Sequence, residues 1–124
     1  GPGAGAGSVK ITQREVQGAV ILDLNGKLTG GPDADVFRKL FEGLIQQGKK
    51  QIVVNLEKVS WINSTGLGIL IHNYSSVRGA GGDLVVMGAS ERIESILYVT
   101  KLNLLFKSFE NEEDAVKSFT QVSH

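Results

Sequence analysis

The residues best suited to chemistry in this sequence stand together in the segment WINSTGLGILI, residues 61–71. Asn63, Ser64 and Thr65 carry short polar side chains and precede Gly66 and Gly68, although apolar runs stand on both sides. Asn and Ser both cap helices, because their side-chain oxygens accept hydrogen bonds from free N–H groups of the first turn. A helix start also favours negative charge, so Ser64 is well placed to carry a phosphoryl group.

Gly66 and Gly68 are unusual so close to a helix start. Each costs ~1 kcal/mol of helix stability relative to alanine, because glycine loses the most backbone entropy on folding. One capping residue is enough to start a helix, yet three polar side chains and two glycines are present. We therefore expect the bare backbone to allow either the close approach of another protein or the binding of an anion.

The same segment lacks the pattern of a catalytic site. A hydrolase nucleophile turn requires Gly-x-Ser-x-Gly, and Ile62 stands at the position of the first glycine. His72 lies about two turns further along the predicted helix, too far to act as the base for Ser64. The stretches GLG and GAGG lack the spacing of nucleotide-binding loops. We predict no catalytic residue, and hence a binding protein rather than an enzyme.

A helix from about Ser64 to Val77 has two contrasting faces. The face that we expect to be buried contains Leu67, Leu70, Ile71, Tyr74 and Val77. The opposite, mixed face contains Thr65, Ile69, His72 and Ser76. Ile69 has two interpretations on this face: an aliphatic side chain that packs locally or has no role, or a contact for a partner protein.

Composition excludes several classes of function. Lys and Arg together number 13, as do Asp and Glu, and no long run of like charge predicts a nucleic-acid or polybasic membrane surface. The chain has no cysteine and only two histidines, so we expect a reducing, cytoplasmic location, no metal site and no cofactor. The apolar runs are far shorter than the ~20 residues of a membrane-spanning helix, so we expect no direct membrane insertion.

The length of 124 residues fits one domain with one core. Residues 1–8 lack the basic and apolar regions of a signal peptide, and we interpret them as a flexible leader or an expression remnant. The domain is then expected over residues 9–124.

Strand and helix patterns alternate along this domain in the order β-β-α-β-α-β-α-β-α. Val9, Ile11 and the run 19–24 predict two strands, which we expect to form a hairpin, and Asn25-Gly26 predicts a turn after the second strand. The apolar run QIVVNL, residues 51–56, predicts a central strand that is covered on both faces. Together with strands predicted in DLVVM and LFKSF, these patterns indicate an α/β fold with a mixed four- to five-stranded sheet and about four helices.

Three further helices have recognisable starts. Pro32, followed by two aspartates, suits the first turn of a helix whose apolar residues repeat at helical spacing until Gly48. Ser90 and Asn111 are the predicted caps of the two later helices.

The segment QIVVNLEKVSWINSTGLGILI, residues 51–71, resembles the signature of STAS domains, and within them the bacterial anti-sigma factor antagonists. In that family a strand and a short loop precede Asp-Ser-Ser/Thr-Gly-Leu-Gly at the start of a helix. The flanking segments also agree with the family, so the resemblance extends over residues 9–120. Asn63 stands in place of the usual acidic residue, and Asn55 stands where an aspartate often ends the central strand.

The resemblance implies a phosphorylation switch. In such proteins the serine at the position of Ser64 is phosphorylated by a partner that is both anti-sigma factor and serine kinase, and a metal-dependent serine phosphatase reverses the step. The unmodified form binds that partner and frees the sigma factor. The partner-binding residues implied for this chain are Asn63, Ser64, Thr65, Gly66, Leu67 and Ile69.

Two alternatives stay open on the sequence alone. Asn63 caps a helix as well as Asp does, but it removes a charge beside Ser64, which either alters the choice of kinase or marks a member that is not phosphorylated. STAS domains also serve as scaffold subunits of stress-signalling assemblies and as parts of membrane transport systems. A scaffold that binds constantly and is never phosphorylated is therefore the alternative function.

Overall fold

Five strands and four α-helices follow one another in the computed structural model, which describes residues 9–120. The strands are β1 (Val9–Val16), β2 (Ala19–Leu28), β3 (Gln51–Ile62), β4 (Asp83–Met87) and β5 (Ser108–Phe109). The helices are α1 (Pro32–Gln46), α2 (Ser64–Gly79), α3 (Glu91–Val99) and α4 (Glu112–Lys117), with a short 3₁₀ helix at Leu102–Leu104. This order is the predicted one, apart from the 3₁₀ helix, which the sequence patterns did not indicate. The predicted leader, residues 1–8, lies outside the described residues.

The strands form one mixed sheet in the order β1-β2-β3-β4-β5. β1 is antiparallel to β2, and the other neighbouring strands are parallel. The predicted mixed sheet with four helices is thus confirmed. Leu28 at the end of β2 pairs with Ile62 at the end of β3, so the segments that follow these two strands lie side by side.

The hairpin between β1 and β2 turns at two residues for which the sequence patterns predicted no turn. Gln17 and Gly18 form the two-residue connection, with φ of 51° and 86°, as tight hairpins require. The predicted turn at Asn25-Gly26 is wrong, because β2 continues through it to Leu28 and pairs there with both β1 and β3. Hydrogen bonding to two neighbouring strands outweighs the local turn preference, and register shifts against β3 absorb the irregularity.

Alternating residues of the sheet face two hydrophobic clusters. The larger cluster lies under α1, α2 and α3 and includes Leu22, Ile52, Val54 and Val86. The smaller cluster lies under α4 and includes Ile21, Val53 and Val85. Ile52, Val53 and Val54 are all fully buried, which confirms the prediction that QIVVNL is central and covered on both faces. β3 itself continues six residues beyond that run, to Ile62.

The predicted helix starts are confirmed, those of α3 and α4 by side-chain hydrogen bonds. Pro32 occupies the first turn of α1. The Ser90 hydroxyl oxygen accepts from the backbone N–H of Ile93 at 3.2 Å, and the Asn111 side-chain oxygen accepts from that of Asp114 at 2.9 Å. These caps were predictable because each bond joins residues three positions apart in the chain.

Candidate functional site

Asn63 is the residue that caps α2, and its side chain bonds in two directions. Its Oδ1 accepts from the backbone N–H of Gly66 at 2.8 Å, and its Nδ2 donates to the carbonyl oxygen of Thr29 at 3.2 Å. Its backbone N–H donates to the carbonyl oxygen of Leu28 at 3.3 Å. Asn63 therefore joins the start of α2 to the loop that leaves β2.

Ser64 is the first residue of α2 and is exposed. Because Asn63 takes the capping position, the Ser64 hydroxyl is not needed for capping, and among residues 9–120 no group forms a hydrogen bond with it. The first turn of α2 contains no acidic residue. A negative charge added to Ser64 would thus be stabilised by the positive end of the helix dipole. No carboxylate in the same turn would repel it.

Gly66 has a structural role within the chain that the sequence patterns did not reveal. It is buried, and a methyl group in its place would overlap the carbonyl oxygen of Leu28 and lie 2.8 Å from the carbonyl carbon. The bare backbone at this position thus allows α2 to approach the end of β2 within the same chain. The close approach that Gly66 permits is therefore internal, and its contact with a partner stays a prediction. Gly68 is exposed, with open space where a side chain would be, and it leaves the surface free beside Thr65.

Thr65 packs on the loop between β2 and α1, a contact that the sequence patterns did not reveal. A methyl group at Gly30 would lie 3.1 Å from the Thr65 Cβ and closer still to its methyl carbon. Gly30 and Gly31 have φ of 101° and 65°, in the region that favours glycine. In the sequence, the Gly-Gly pair is the one local feature that could have indicated this loop. In the structure, Gly30 allows the backbone of the loop to lie against Thr65 at the start of α2.

Ile69 is buried, with only 6% of its surface exposed, so its predicted place on an exposed face is wrong. The helical phase failed because α2 packs on two sides: the sheet covers Leu67 and Leu70, while α1 covers Ile69. Leu67, Leu70 and Val77 are buried as predicted, whereas Ile71 and Tyr74 are only half-buried. Ile69 and Leu67 therefore support the site from beneath.

A cleft of about 310 Å³ lies between α1 and α2 and reaches Thr65, the residue after Ser64. It is lined by Ala34, Asp35, Arg38, Thr65, Gly68, Ile69, His72 and Asn73. Arg38 is neutralised by ion pairs with Asp35 at 3.0 Å and Glu42 at 3.5 Å. The cleft beside Thr65 is thus lined by small groups, polar groups and an ion pair, together with the apolar side chain of Ile69.

A second polar cluster lies on the α4 side of the sheet and explains Asn55. The Asn55 amide nitrogen donates to the Asp23 carboxylate at 2.7 Å, and Arg14 binds the same carboxylate at 2.6 and 3.1 Å. The Arg14 hydrogen bond, together with that of Asn55, lowers the pKa of Asp23 below its usual value. Asp23 already carries a negative charge. An amide at position 55 donates a hydrogen bond to it, whereas a carboxylate at position 55 would repel it.

The described residues offer neither a metal site nor a membrane span. No group of three or more His, Cys, Asp or Glu side chains within residues 9–120 is arranged to hold a metal ion. In the same range no helix has both the length and the apolar character to cross a membrane.

Comparison with known proteins assigns the family. The family model described as "STAS domain" matches residues 10–115, and the chain belongs to this family. A Thermotoga neapolitana homolog of the protein TM1081 is 29% identical over 103 residues, which are 82% of this chain and 90% of that protein. The anti-sigma F factor antagonist of Paenibacillus polymyxa is 22% identical over 94% of this chain and 99% of its own. The anti-sigma-B factor antagonist of Staphylococcus aureus is 35% identical over 68 residues, 55% of this chain and 63% of that protein.

Solved structures show the same fold. The NMR structure of TM1081 matches with a TM-score of 0.80 at 25% identity, over 89% of this chain and 88% of that one. The anti-sigma factor antagonist SpoIIAA in its unphosphorylated form matches with a TM-score of 0.75 at 19% identity, over 93% of this chain and 100% of its own. The phosphorylated form of the Bacillus protein SpoIIAA matches with a TM-score of 0.68 at 19% identity, over 89% and 99% of the two chains.

Proposed function

We propose that this STAS domain is an anti-sigma factor antagonist whose binding is switched off by phosphorylation of Ser64. Its relatives include proteins named as antagonists of anti-sigma factors, and SpoIIAA, which shares the fold, is known in unphosphorylated and phosphorylated forms. The observation that carries the proposal is the division of roles at the start of α2. Asn63 caps the helix, which leaves the hydroxyl of Ser64 exposed and without a competing hydrogen bond.

The proposed modification requires a kinase, because this chain supplies the acceptor hydroxyl alone. The Ser64 Oγ attacks the γ-phosphorus of ATP, the bond to the β,γ-bridging oxygen breaks, ADP leaves, and a base of the kinase takes the hydroxyl proton. The kinase is proposed to be the anti-sigma factor itself. A metal-dependent serine phosphatase then hydrolyses the phosphoserine and restores the binding form.

The partner-binding surface is proposed to consist of the exposed groups around the hydroxyl. These are Ser64, Thr65 and Gly68 on α2, with the half-buried Asn63 at its start. The phosphoryl group adds nearly two negative charges to this surface, and a close-packed interface cannot accept them without losing affinity. In the unphosphorylated state the domain binds the anti-sigma factor in the cytoplasm and thereby releases the sigma factor. The domain itself has no catalytic role in this cycle.

Phosphorylation can be tested directly by intact-mass spectrometry. The protein is incubated with a candidate anti-sigma factor/serine kinase and ATP, and we expect it to gain one phosphoryl group. Ser64→Ala should abolish the gain, whereas Thr65→Ala should retain it, which separates the two neighbouring hydroxyl groups. A wild-type protein that gains no phosphate from its tightly bound partner would support the alternative, a scaffold that is never phosphorylated. The amide at position 63, where the family has an acid, is the observation that favours this alternative.

A further inference from the structure

The cleft between α1 and α2 contains a hydrogen-bond acceptor that no group within residues 9–120 uses. Asn73, which is 3% exposed, and Ile69 are the two buried residues that line this cleft, and they form its floor. Asn73 Nδ2 donates to the Ile69 carbonyl oxygen at 2.8 Å, one turn earlier in α2. Asn73 Oδ1 accepts no hydrogen bond from the described part of the chain, and it is not sealed from solvent. A polar group that is almost buried but still open on one side indicates that the cleft receives a donor.

Gly68 opens the α2 wall of the cleft. Thr65, Gly68 and His72 line that wall, and their spacing of three and four residues places them on one face of the helix. All three are exposed, and a side chain at position 68 would stand in open space. The gap between Thr65 and His72 therefore gives access to the buried floor.

The chemistry of the floor selects the group that fits. A partner that covers the cleft removes water from Asn73 Oδ1, and a buried acceptor without a donor costs free energy. A carboxylate has no donor, and a lysine or arginine would lose the hydration of its charge over the apolar side chain of Ile69. A serine hydroxyl donates but leaves Ile69 uncovered. Tryptophan and tyrosine combine a large apolar ring with one N–H or O–H group, and both are enriched among the residues that contribute most to interfaces.

We propose that this cleft is the anchor pocket for one tryptophan or tyrosine side chain of the anti-sigma partner, whose ring covers Ile69 and whose N–H or O–H group donates to Asn73 Oδ1. This inference rests on the partner binding proposed above and names the contact that fixes the partner's position. The volume of about 310 Å³ is at the lower end of the ~300 to 1,000 Å³ of ligand pockets, so one side chain fits. Thr65 follows Ser64 directly and lines the same cleft, so the anchored partner lies beside the hydroxyl that it phosphorylates.

The pocket is tested first with indole, the ring system of tryptophan, and with 1-methylindole, which lacks the N–H donor. Titration of indole into isotope-labelled protein should shift the side-chain NH₂ signals of Asn73 and the methyl signals of Ile69. The dissociation constant of 1-methylindole should be larger by about threefold to tenfold, because its methyl group replaces the donor. Indole that moves neither set of signals would overturn the pocket. Equal dissociation constants for the two compounds would overturn the hydrogen bond to Asn73.

A candidate anti-sigma factor/serine kinase then tests the occupant. Intermolecular NOEs should connect the Ile69 methyl groups with aromatic ring protons of the partner. Gly68→Leu fills the gap in the α2 wall and should weaken binding by at least about tenfold. The matched control is Gly79→Leu, at an exposed glycine of the same helix that also has open space, and it should bind like the wild type.

A complex without NOEs between Ile69 and an aromatic ring would overturn the anchor, as would equal affinities of Gly68→Leu and Gly79→Leu. Phosphoserine incorporated at position 64 separates this result from the proposed function. If the phosphoserine form loses the partner, but the bound serine form shows no contact at Ile69, the anchor falls and the switch stands. If the partner occupies the cleft with equal affinity in both forms, the switch falls and the anchor stands.

Discussion

Gly66 lies so close to Leu28 that a single methyl group at position 66 would overlap the Leu28 carbonyl oxygen. This contact sets the distance between α2 and the end of β2. The position of Ser64 relative to the β2–α1 loop depends on it, because Ser64 lies two residues before Gly66 at the helix start.

The two glycines of α2 should respond in opposite ways to alanine. Gly66→Ala should destabilise the domain by about 1 to 3 kcal/mol, because overpacking against backbone cannot relax by rotation of a side chain. Gly68→Ala has open space and should be neutral or stabilising by up to ~1 kcal/mol, as alanine favours helix. Urea unfolding of both variants measures the difference. Equal stability of the two would show that α2 is not held at this distance from β2.

Ile69 should now behave as a core residue. Ile69→Ala should cost about 2 to 5 kcal/mol of unfolding free energy, since it leaves a cavity between α1 and α2. His72→Ala, on the exposed rim of the same cleft, should stay within about ±0.5 kcal/mol. If the thermal melts of Ile69→Ala and the wild type superimpose, Ile69 is not a core residue and lies on the exposed face of α2.

Asn63→Asp should destabilise the domain at neutral pH. A carboxylate still caps α2, and its charge stabilises the helix start by ~0.3 to 1 kcal/mol. It also places a negative charge against the Thr29 carbonyl oxygen, and loss of the hydrogen bond from position 63 to that oxygen costs ~1 to 3 kcal/mol. Protonation restores a donor at position 63, so the deficit should shrink as pH falls below about 4. Unfolding free energies at several pH values check this. A variant as stable as the wild type at pH 7 would mean that the Thr29 bond contributes nothing.

Asp23 should contribute to acid sensitivity. Its pKa is lowered in the folded state, first by Arg14 and then by Asn55, so the native state favours the ionised form. The stability that this provides is complete above the unfolded pKa of about 3.8 and is lost as pH falls towards the folded pKa. Asp23→Asn should therefore be less stable than the wild type at pH 7, and the gap should close in acid. A gap that stays constant from pH 7 to pH 2 would contradict the ion pair.

Local signals in the sequence predicted most of the fold, and contacts between distant segments explain the failures. Ser90 and Asn111 were predictable as caps because their bonds span three residues. Ile69 was misplaced because helical periodicity does not reveal that α1 covers a second side of α2. The internal role of Gly66 was missed because nothing in the local pattern shows that Leu28, 38 positions earlier, passes beside it.

The measurement that tests the central claim most directly is the affinity of the anti-sigma partner for two forms of the protein, with serine or phosphoserine at position 64. Calorimetric titration should give tight binding of the serine form and binding weaker by about thirtyfold or more for the phosphoserine form, because a charge forced into a close-packed interface costs ~2 to 5 kcal/mol. Ser64→Ala should bind like the serine form. Equal dissociation constants for the serine and phosphoserine proteins would contradict the account.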